Sequence, residues 1–297
     1  MTDKNQPLVS VVIPCYNHEN FVQDCIQSVI NQTYQNIELI IIDDGSKDNS
    51  VSKIEEMSEK CKRRFVRFEF RHRANKGLSA TLNEALEWCE GEYYCSFASD
   101  DIMTENRIKK QLEYLNENPK CAGVFGAFEV INPTGLVENV RKKNNKKYYF
   151  KDIFLHKHEL PAPTQLLRME VVKKIGGYVK GIVIEDWFMW LKITELGYSL
   201  DYIDEIFVKY RRHDSNTSNQ LELMHQGRLD IIKIFDRNNF ADAALAHVYL
   251  VSANEYLSIN LRKSWNLYWK FLCMKKKLIS KGSFKYILKL ILRLLKW

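Results

Sequence analysis

The sequence predicts an α/β fold: a doubly wound sheet over residues 1–215, then an α-helical region over residues 216–297. Three observations carry that reading. Short apolar runs alternate with segments of helical spacing, joined by short connections, which is the pattern of a parallel sheet. Two of the runs end in paired acids, Asp43-Asp44 and Asp100-Asp101, at the strand ends beyond which such sheets bind ligands. After Ser215 every apolar pattern has helical period. The 297 residues suffice for one large domain or two small ones with a substantial core. Hydrophobic residues at 45% and charged residues at 27% are near the averages of folded chains, and 12 Gly with 6 Pro exclude collagen-like and wholly disordered ones.

The elements follow in order. Leu8–Ile13 is an apolar run stopped by Pro14. Phe21, Cys25, Ile26, Val29 and Ile30 place a helix over Asn20–Asn31. Glu38–Ile42 is the next strand, closed by Asp43-Asp44-Gly45-Ser46, and a helix spans about Asp48–Lys60. Phe65–Phe70 reads as a strand, and Leu78–Cys89 as a helix with Leu82, Ala85, Leu86 and Cys89 on one face. Tyr93–Ala98 is a strand that runs into Ser99-Asp100-Asp101. Thr104 caps a helix reaching about Asn118, and Ala122–Ile131 is another strand. Arg141–Lys147 reads as a mobile basic loop and Leu160–Thr164 as a Pro-containing connection. Glu185–Leu196 reads as a helix and Ile206–Arg212 as the last strand. Helices then cover about 220–236, 240–260, 263–279 and 284–297.

The seven cysteines are scattered and never spaced as CxxC, so the sequence predicts reduced, mostly buried thiols with neither a disulfide framework nor a structural zinc site. The formal net charge is +7, unevenly spread. From Arg262 to Trp297 there are 11 Lys/Arg and no Asp/Glu, which leaves 33 basic and 37 acidic residues in 1–261. A mildly acidic body thus carries a strongly basic tail, suited to an anionic surface.

Four acidic or mixed motifs carry chemistry. Asp43-Asp44 is a turn signal, and a carboxylate there also suits hydrogen bonds from a base or ribose. In Ser99-Asp100-Asp101, Asp101 suits a helix N-cap; equally, one or two carboxylates with substrate phosphates suit Mg²⁺ or Mn²⁺. In Glu185-Asp186-Trp187 both acids gain from a helix dipole, and Asp186 is the candidate general base. In Tyr210-Arg211-Arg212-His213-Asp214 the imidazole is either structural or a ligand for an Mn²⁺-like ion, and Arg suits phosphate.

Six segments in order resemble family 2 glycosyltransferases: Val9–Asn17 (VSVVIPCYN), Ser28–Tyr34, Glu38–Ser46, Asn75–Ser79, Ser99–Asp101 and Glu185–Trp187. The resemblance covers roughly residues 7–215. It implies a GT-A fold, with a Rossmann-like nucleotide half and an acceptor half on one mixed sheet. It implies inverting transfer of a sugar, hexosyl or N-acetylhexosaminyl, from a nucleotide-sugar, usually UDP-linked, with Mn²⁺ or Mg²⁺ as cofactor. By position, Pro14, Tyr16 and Asp44 line the nucleobase pocket, and Asn75 and Gly77 lie in the loop that closes over the nucleotide. Asp43 either joins that pocket or only shapes the turn. Asp100 faces the ribose or the metal, Asp101 binds the metal, Asp186 is the base with Glu185 beside it, and His213 resembles a late histidine that reaches the metal. The family's third metal-motif acid is Ser99 here, so position 99 is not expected to ligate.

In the tail, Lys285, Lys289 and Arg293 form one basic stripe on an otherwise apolar segment, Phe284–Trp297. Fourteen residues at ~1.5 Å each span ~21 Å, short of a ~30 Å hydrocarbon core, so the expectation is an interfacial helix with Tyr286 and Trp297 near headgroups. A helix packed on the body or in a dimer is the alternative, and the oligomeric state stays open. Nucleic-acid signatures are absent. No run of ~18 uncharged apolar residues occurs, and Met1–Gln6 is polar, so the expectation is a cytoplasmic protein, peripheral on the inner membrane face. The expected acceptor is a lipid-linked glycan of surface polysaccharide, lipooligosaccharide or glycoprotein glycan assembly. Two rivals stand beside this: a nucleotidyltransferase, whose Gly-rich basic loop is missing at Pro14–Asn17, and a non-catalytic nucleotide-sugar-binding or membrane scaffold.

Overall fold

The computed structural model describes residues 6–213, 219–237, 239–274 and 281–294. Asp214, Ser215 and Trp297 lie outside them. The described residues form two compact units. The first runs to Phe150 and continues over Glu159–Gly181 and Glu185–His213. The second joins Lys151–His158 and Ile182–Ile184 to the helices beyond His213. Those two short segments fall within 1–215, and no compositional signal sets them apart.

The first unit is one mixed sheet with helices. Its strands are β1 (Val9–Cys15), β2 (Ile37–Asp43), β3 (Arg67–His72), β4 (Tyr93–Ser96), β5 (Ile102–Met103), β6 (Cys121–Ile131), β7 (Val137–Arg141), β8 (Lys146–Tyr148), β9 (Leu166–Arg168) and β10 (Ser199–Arg211). The order is β3-β2-β1-β4-β9-β6-β10-β5, with β7 on β6 and β8 on β10. β3, β2, β1 and β4 are mutually parallel, so their carboxyl ends share one edge. β1 and β2 are buried almost throughout, as strands covered on both faces must be. β9 is antiparallel to both β4 and β6 and joins the two halves.

Helices α1 (Val22–Ile30), α2 (Ser50–Arg64), α3 (Leu78–Trp88) and α4 (Arg107–Glu117) alternate with these strands. Valine, isoleucine and cysteine of α1 and Ile54, Met57 and Cys61 of α2 pack on β1 and β2 in one core. One buried carboxylate ties that sheet to the following turn. Glu38 accepts from Ser10 Oγ at 2.6 Å, from the N–H groups of Glu90 (2.7 Å) and Gly91 (2.9 Å), and from Arg67 at 3.0 Å.

Several expectations change. Thr104 does not cap α4: its hydroxyl donates to the Ile206 carbonyl at 2.9 Å, and Asn106 precedes the helix. The basic segment expected as a mobile loop lies in the sheet at both ends, since Arg141 pairs with Phe128 and Lys146 with Tyr202. The short helices α5 (Phe150–Phe154) and α6 (Met169–Lys174) precede α7 (Glu185–Glu195), and a 3-10 turn over Ala162–Thr164 forms the Pro-containing connection. Six cysteines are buried, Cys273 is exposed, and all seven are free thiols. Burial pushes the Cys15, Cys61, Cys89 and Cys121 thiols up to about 12, so they stay protonated.

The second unit contains α8 (Leu221–Ile234), α9 (Ala241–Tyr256), α10 (Leu261–Met274) and α11 (Lys281–Leu294). Its core holds Leu250, Tyr256, Leu267, Tyr268, Phe271 and Tyr286. Tyr286 fastens α11: its ring stacks on Tyr268 at 4.0 Å, and its hydroxyl lies 2.9 Å from Ser264 Oγ. That packing uses one side of α11 and leaves Phe284, Ile287, Leu288, Ile291 and Leu292 exposed.

Candidate functional site

The shared carboxyl edge of β1, β2, β3 and β4 carries most of the singled-out residues. After β1 the chain turns at Asn17, a non-glycine residue at φ +55°. Neighbouring side chains make the turn affordable by taking its backbone donors. Asn17 N–H donates to Ser46 Oγ (2.8 Å), His18 N–H to Ser50 Oγ (2.9 Å) and Glu19 N–H to Asp48 (3.0 Å). Tyr16 stands outward at this turn, 47% exposed, with the half-buried Pro14 before it.

The two acids after β2 build loops. Asp43 is fully buried, and its Oδ1 accepts the N–H groups of Gly45 (3.1 Å) and Ser46 (2.9 Å), while Oδ2 accepts the Ser46 hydroxyl. Asp44 reaches across to the loop after β3. Its Oδ1 accepts Lys76 N–H at 2.8 Å and the Arg73 guanidinium, and its Oδ2 accepts Gly77 N–H at 2.9 Å. Asn75 accepts the same Gly77 N–H at 3.1 Å. Gly77 sits at φ +87°, a conformation that favours glycine, and opens α3. Gly45, at φ +78°, lies where a Cβ would come within 2.7 Å of the Asn75 nitrogen.

The two acids after β4 diverge. Asp100 Oδ2 lies 2.8 Å from His213 Nε2. Asp101, expected to bind the metal, turns inward. It is fully buried, its Oδ1 accepts the Arg211 N–H at 2.9 Å, and its Oδ2 has no hydrogen-bond partner among the described residues. Burial, with the charge of Asp100 beside it, pushes the Asp101 carboxyl well above the usual range. Of the two arginines in the motif read as suiting phosphate, Arg211 is committed to structure. Its Nε donates to the Asp100 carbonyl (2.9 Å), Nη1 to the Pro133 carbonyl (2.8 Å) and Nη2 to Asp24 (3.2 Å). The end of β10 thereby holds the Asp100-Asp101 turn in place.

The sequence reading missed His18 and Arg73. A nitrogen of His18, an oxygen of Asp100 and a nitrogen of His213 all lie within 4.8 Å of one another. An ion with bonds of ~2.1 Å sets adjacent donors ~3 Å and opposite donors ~4.2 Å apart, so this donor set fits a divalent cation after small movements. Burial lowers the His18 imidazole below its ordinary pKa against the pull of Asp100, which keeps it neutral at pH 7. The available signal was position: His18 directly follows Tyr16-Asn17 at the end of β1.

Glu185 and Asp186 open α7. Asp186 Oδ1 accepts the Trp187 N–H at 2.6 Å. No hydrogen bond joins Asp186 to Asp100 or His213 among the described residues. Burial, and then the Asp186 charge, pushes Glu185 up to about 8, and burial raises Asp186 as well. The pair thus holds a proton at pH values where an ordinary carboxylate is ionised.

The chain matches the family model "Glycosyl transferase family 2" over residues 10–176. A glycosyltransferase of Haemophilus influenzae is 31% identical over 228 residues, covering 72% of this chain and 68% of its own. Staphylococcus aureus TarS residues 1–349, solved with UDP-GlcNAc, superposes with a TM-score of 0.67 at 17% identity, covering 90% of this chain and 81% of that one. The mannosyltransferase PcManGT of Pyrobaculum calidifontis, solved with GDP-Man and Mn²⁺, gives 0.60 at 14% identity, covering 98% and 88%. The mixed sheet with its parallel nucleotide half is a GT-A fold, and the chain belongs to glycosyl transferase family 2.

Proposed function

We propose that the chain is an inverting glycosyltransferase that moves a hexosyl or N-acetylhexosaminyl group from a UDP-sugar to a hydroxyl of a lipid-linked glycan. The observation that carries this reading is the meeting of Asp100, His213 and His18 at the edge where the β1, β2 and β4 loops converge. The ligands of the solved neighbours, UDP-GlcNAc in one and GDP-Man with Mn²⁺ in the other, support a nucleotide-sugar donor.

Asp100 and His213 would hold the divalent ion, Mn²⁺ or Mg²⁺, which supplies positive charge to the departing diphosphate. Asp186 takes the acceptor's hydroxyl proton as that oxygen bonds to the anomeric carbon and the bond to the diphosphate breaks on the opposite face. Its raised pKa suits a base better than an ordinary carboxylate does. Tyr16 offers a ring face to the nucleobase beside Pro14. Asp44 acts on the nucleotide by holding the Asn75–Gly77 loop against the pocket. Asp101 shapes the turn that presents Asp100.

Residues 1–215 carry the transfer in this reading, and 216–297 attach the enzyme to an anionic membrane face in the cytoplasm. The exposed apolar side of α11, flanked by Lys285 and Lys289, supports that attachment. No described helix is long and apolar enough to cross a membrane. Surface-glycan assembly is the setting in which such an acceptor arises.

The test is UDP release from a panel of UDP-sugars with lipid extract as acceptor source, in Mn²⁺, in Mg²⁺ and with chelator. One donor should give ion-dependent release, and Asp186→Asn should lower it ~10²–10⁴-fold with UDP binding retained. Silence together with no nucleotide binding would overturn the reading.

A further inference from the structure

We propose that His18 is a third protein ligand of the ion, which makes the site a two-imidazole, one-carboxylate set that favours Mn²⁺ over Mg²⁺. The ion's role rests on the transferase reading, whereas its ligands rest on the geometry alone.

Three observations lead there. The first is proximity: the His18, Asp100 and His213 donor atoms lie within 4.8 Å of one another. The second is orientation. His18 Nδ1 lies 2.7 Å from Ser99 Oγ, and its ring meets those of Phe21 (6.1 Å) and His213 (5.5 Å) edge-on. A metal-binding histidine characteristically has its second nitrogen fixed by such a partner, which sets tautomer and ring angle. With Nδ1 donating to Ser99, the lone pair left for an ion is on Nε2. The third is rigidity. The His18 N–H is taken by Ser50, and its carbonyl accepts the N–H groups of Phe21 (3.0 Å) and Val22 (2.9 Å) at the start of α1. The ring is therefore delivered by a fixed backbone.

The donor set then decides the ion. Mg²⁺ prefers oxygen ligands and retains its waters, while imidazole suits the borderline transition ions. One carboxylate also leaves the complex with a net positive charge for a diphosphate, because Asp101 is turned away. Ser99, where the family pattern has an acid, acquires a part here as the positioning residue for His18.

The experiment measures Mn²⁺ binding to the full chain, with and without UDP, by electron spin resonance titration. The number of imidazole nitrogens on bound Mn²⁺ is counted by electron spin echo modulation. Two imidazoles are expected in the wild type and one in His18→Gln. That substitution should weaken Mn²⁺ ~10–100-fold and Mg²⁺, read by competition, less than about threefold. Ser99→Ala should weaken Mn²⁺ ~10-fold, with recovery in Ser99→Thr. Circular dichroism of each variant checks the fold. One imidazole in the wild type, lost in His213→Gln and kept in His18→Gln, would overturn the His18 assignment while leaving the ion in place. No Mn²⁺ binding in either condition would overturn both the assignment and the ion reading.

Discussion

Replacing Asp101 by asparagine separates the two carboxylates of the turn after β4. Asp101 is buried, takes the Arg211 N–H on Oδ1, and has its carboxyl pushed well above the usual carboxylate range by burial and by Asp100. A protonated carboxyl and an amide are nearly isosteric and both neutral. Asp101→Asn keeps the 2.9 Å bond and replaces an O–H that has no described acceptor by an N–H₂ in the same place. Its cost should stay within ~1 kcal/mol, whereas Asp101→Ala strands the Arg211 N–H and costs ~1–3 kcal/mol. The sign of the pH dependence follows from linkage. The folded wild type binds a proton that the unfolded chain releases above ~4, so its stability falls as pH rises. Asp101→Asn has no such term and should gain on the wild type from pH 5 to pH 8 in thermal melts. Asp100→Asn removes the carboxylate that faces His213 and should lower ion-dependent turnover ~10²–10⁴-fold. Loss of turnover in Asp101→Asn as deep as in Asp100→Asn, with an unchanged melt, would refute the assignment and return Asp101 to the ion.

Glu185→Gln should move the acid limb of the pH–kcat/KM profile down by at least about one unit, because it removes the group that burial and Asp186 push up to about 8; an unmoved limb would show that the pair does not titrate in catalysis. Glu38→Ala should cost ~3–5 kcal/mol by denaturant melts, since it leaves Arg67, Ser10 and the Glu90 and Gly91 N–H groups without their common acceptor; a loss under ~1 kcal/mol would mean that water replaces the carboxylate. Lys285→Glu with Lys289→Glu should abolish sedimentation with phosphatidylglycerol vesicles and leave binding to phosphatidylcholine vesicles equally weak before and after. Retained sedimentation would point to a protein partner for the exposed side of α11.

The parallel half was legible because its physics is local. The runs that became β1 and β2 are buried along almost their whole length, and β2 and β4 run into acidic turns, so composition alone marks them. In the acceptor half only β6 and the end of β10 were legible. β9 has three residues, β5 has two, and β8 carries two lysines, so none offers a period to read. They are strands because longer neighbours pair with them. The site divides in the same way. The motifs located the edge, yet they could not tell which acid of a pair faces outward, because that depends on Arg211 and on β10, distant in sequence. His18 had only its position after β1 to mark it, since Ser99 and His213 give it meaning only after folding.

Counting acids in the motifs overstates the negative charge of the site. Of Asp43, Asp44, Asp100 and Asp101, three are committed to backbone N–H groups: Asp43 to its own turn, Asp44 to the loop after β3, and Asp101 to β10. The Arg73 guanidinium further offsets Asp44, and burial pushes Asp101 toward its neutral form. Only Asp100 presents its carboxylate to the histidines. On the proposed reading this arrangement suits the chemistry. A diphosphate would be repelled by a carboxylate cluster, whereas a single carboxylate with two imidazoles would hold a dication and leave it cationic. Asp43 and Asp44 serve the site best where they are, because a carboxylate accepting several N–H bonds fixes a loop more firmly than a neutral side chain can.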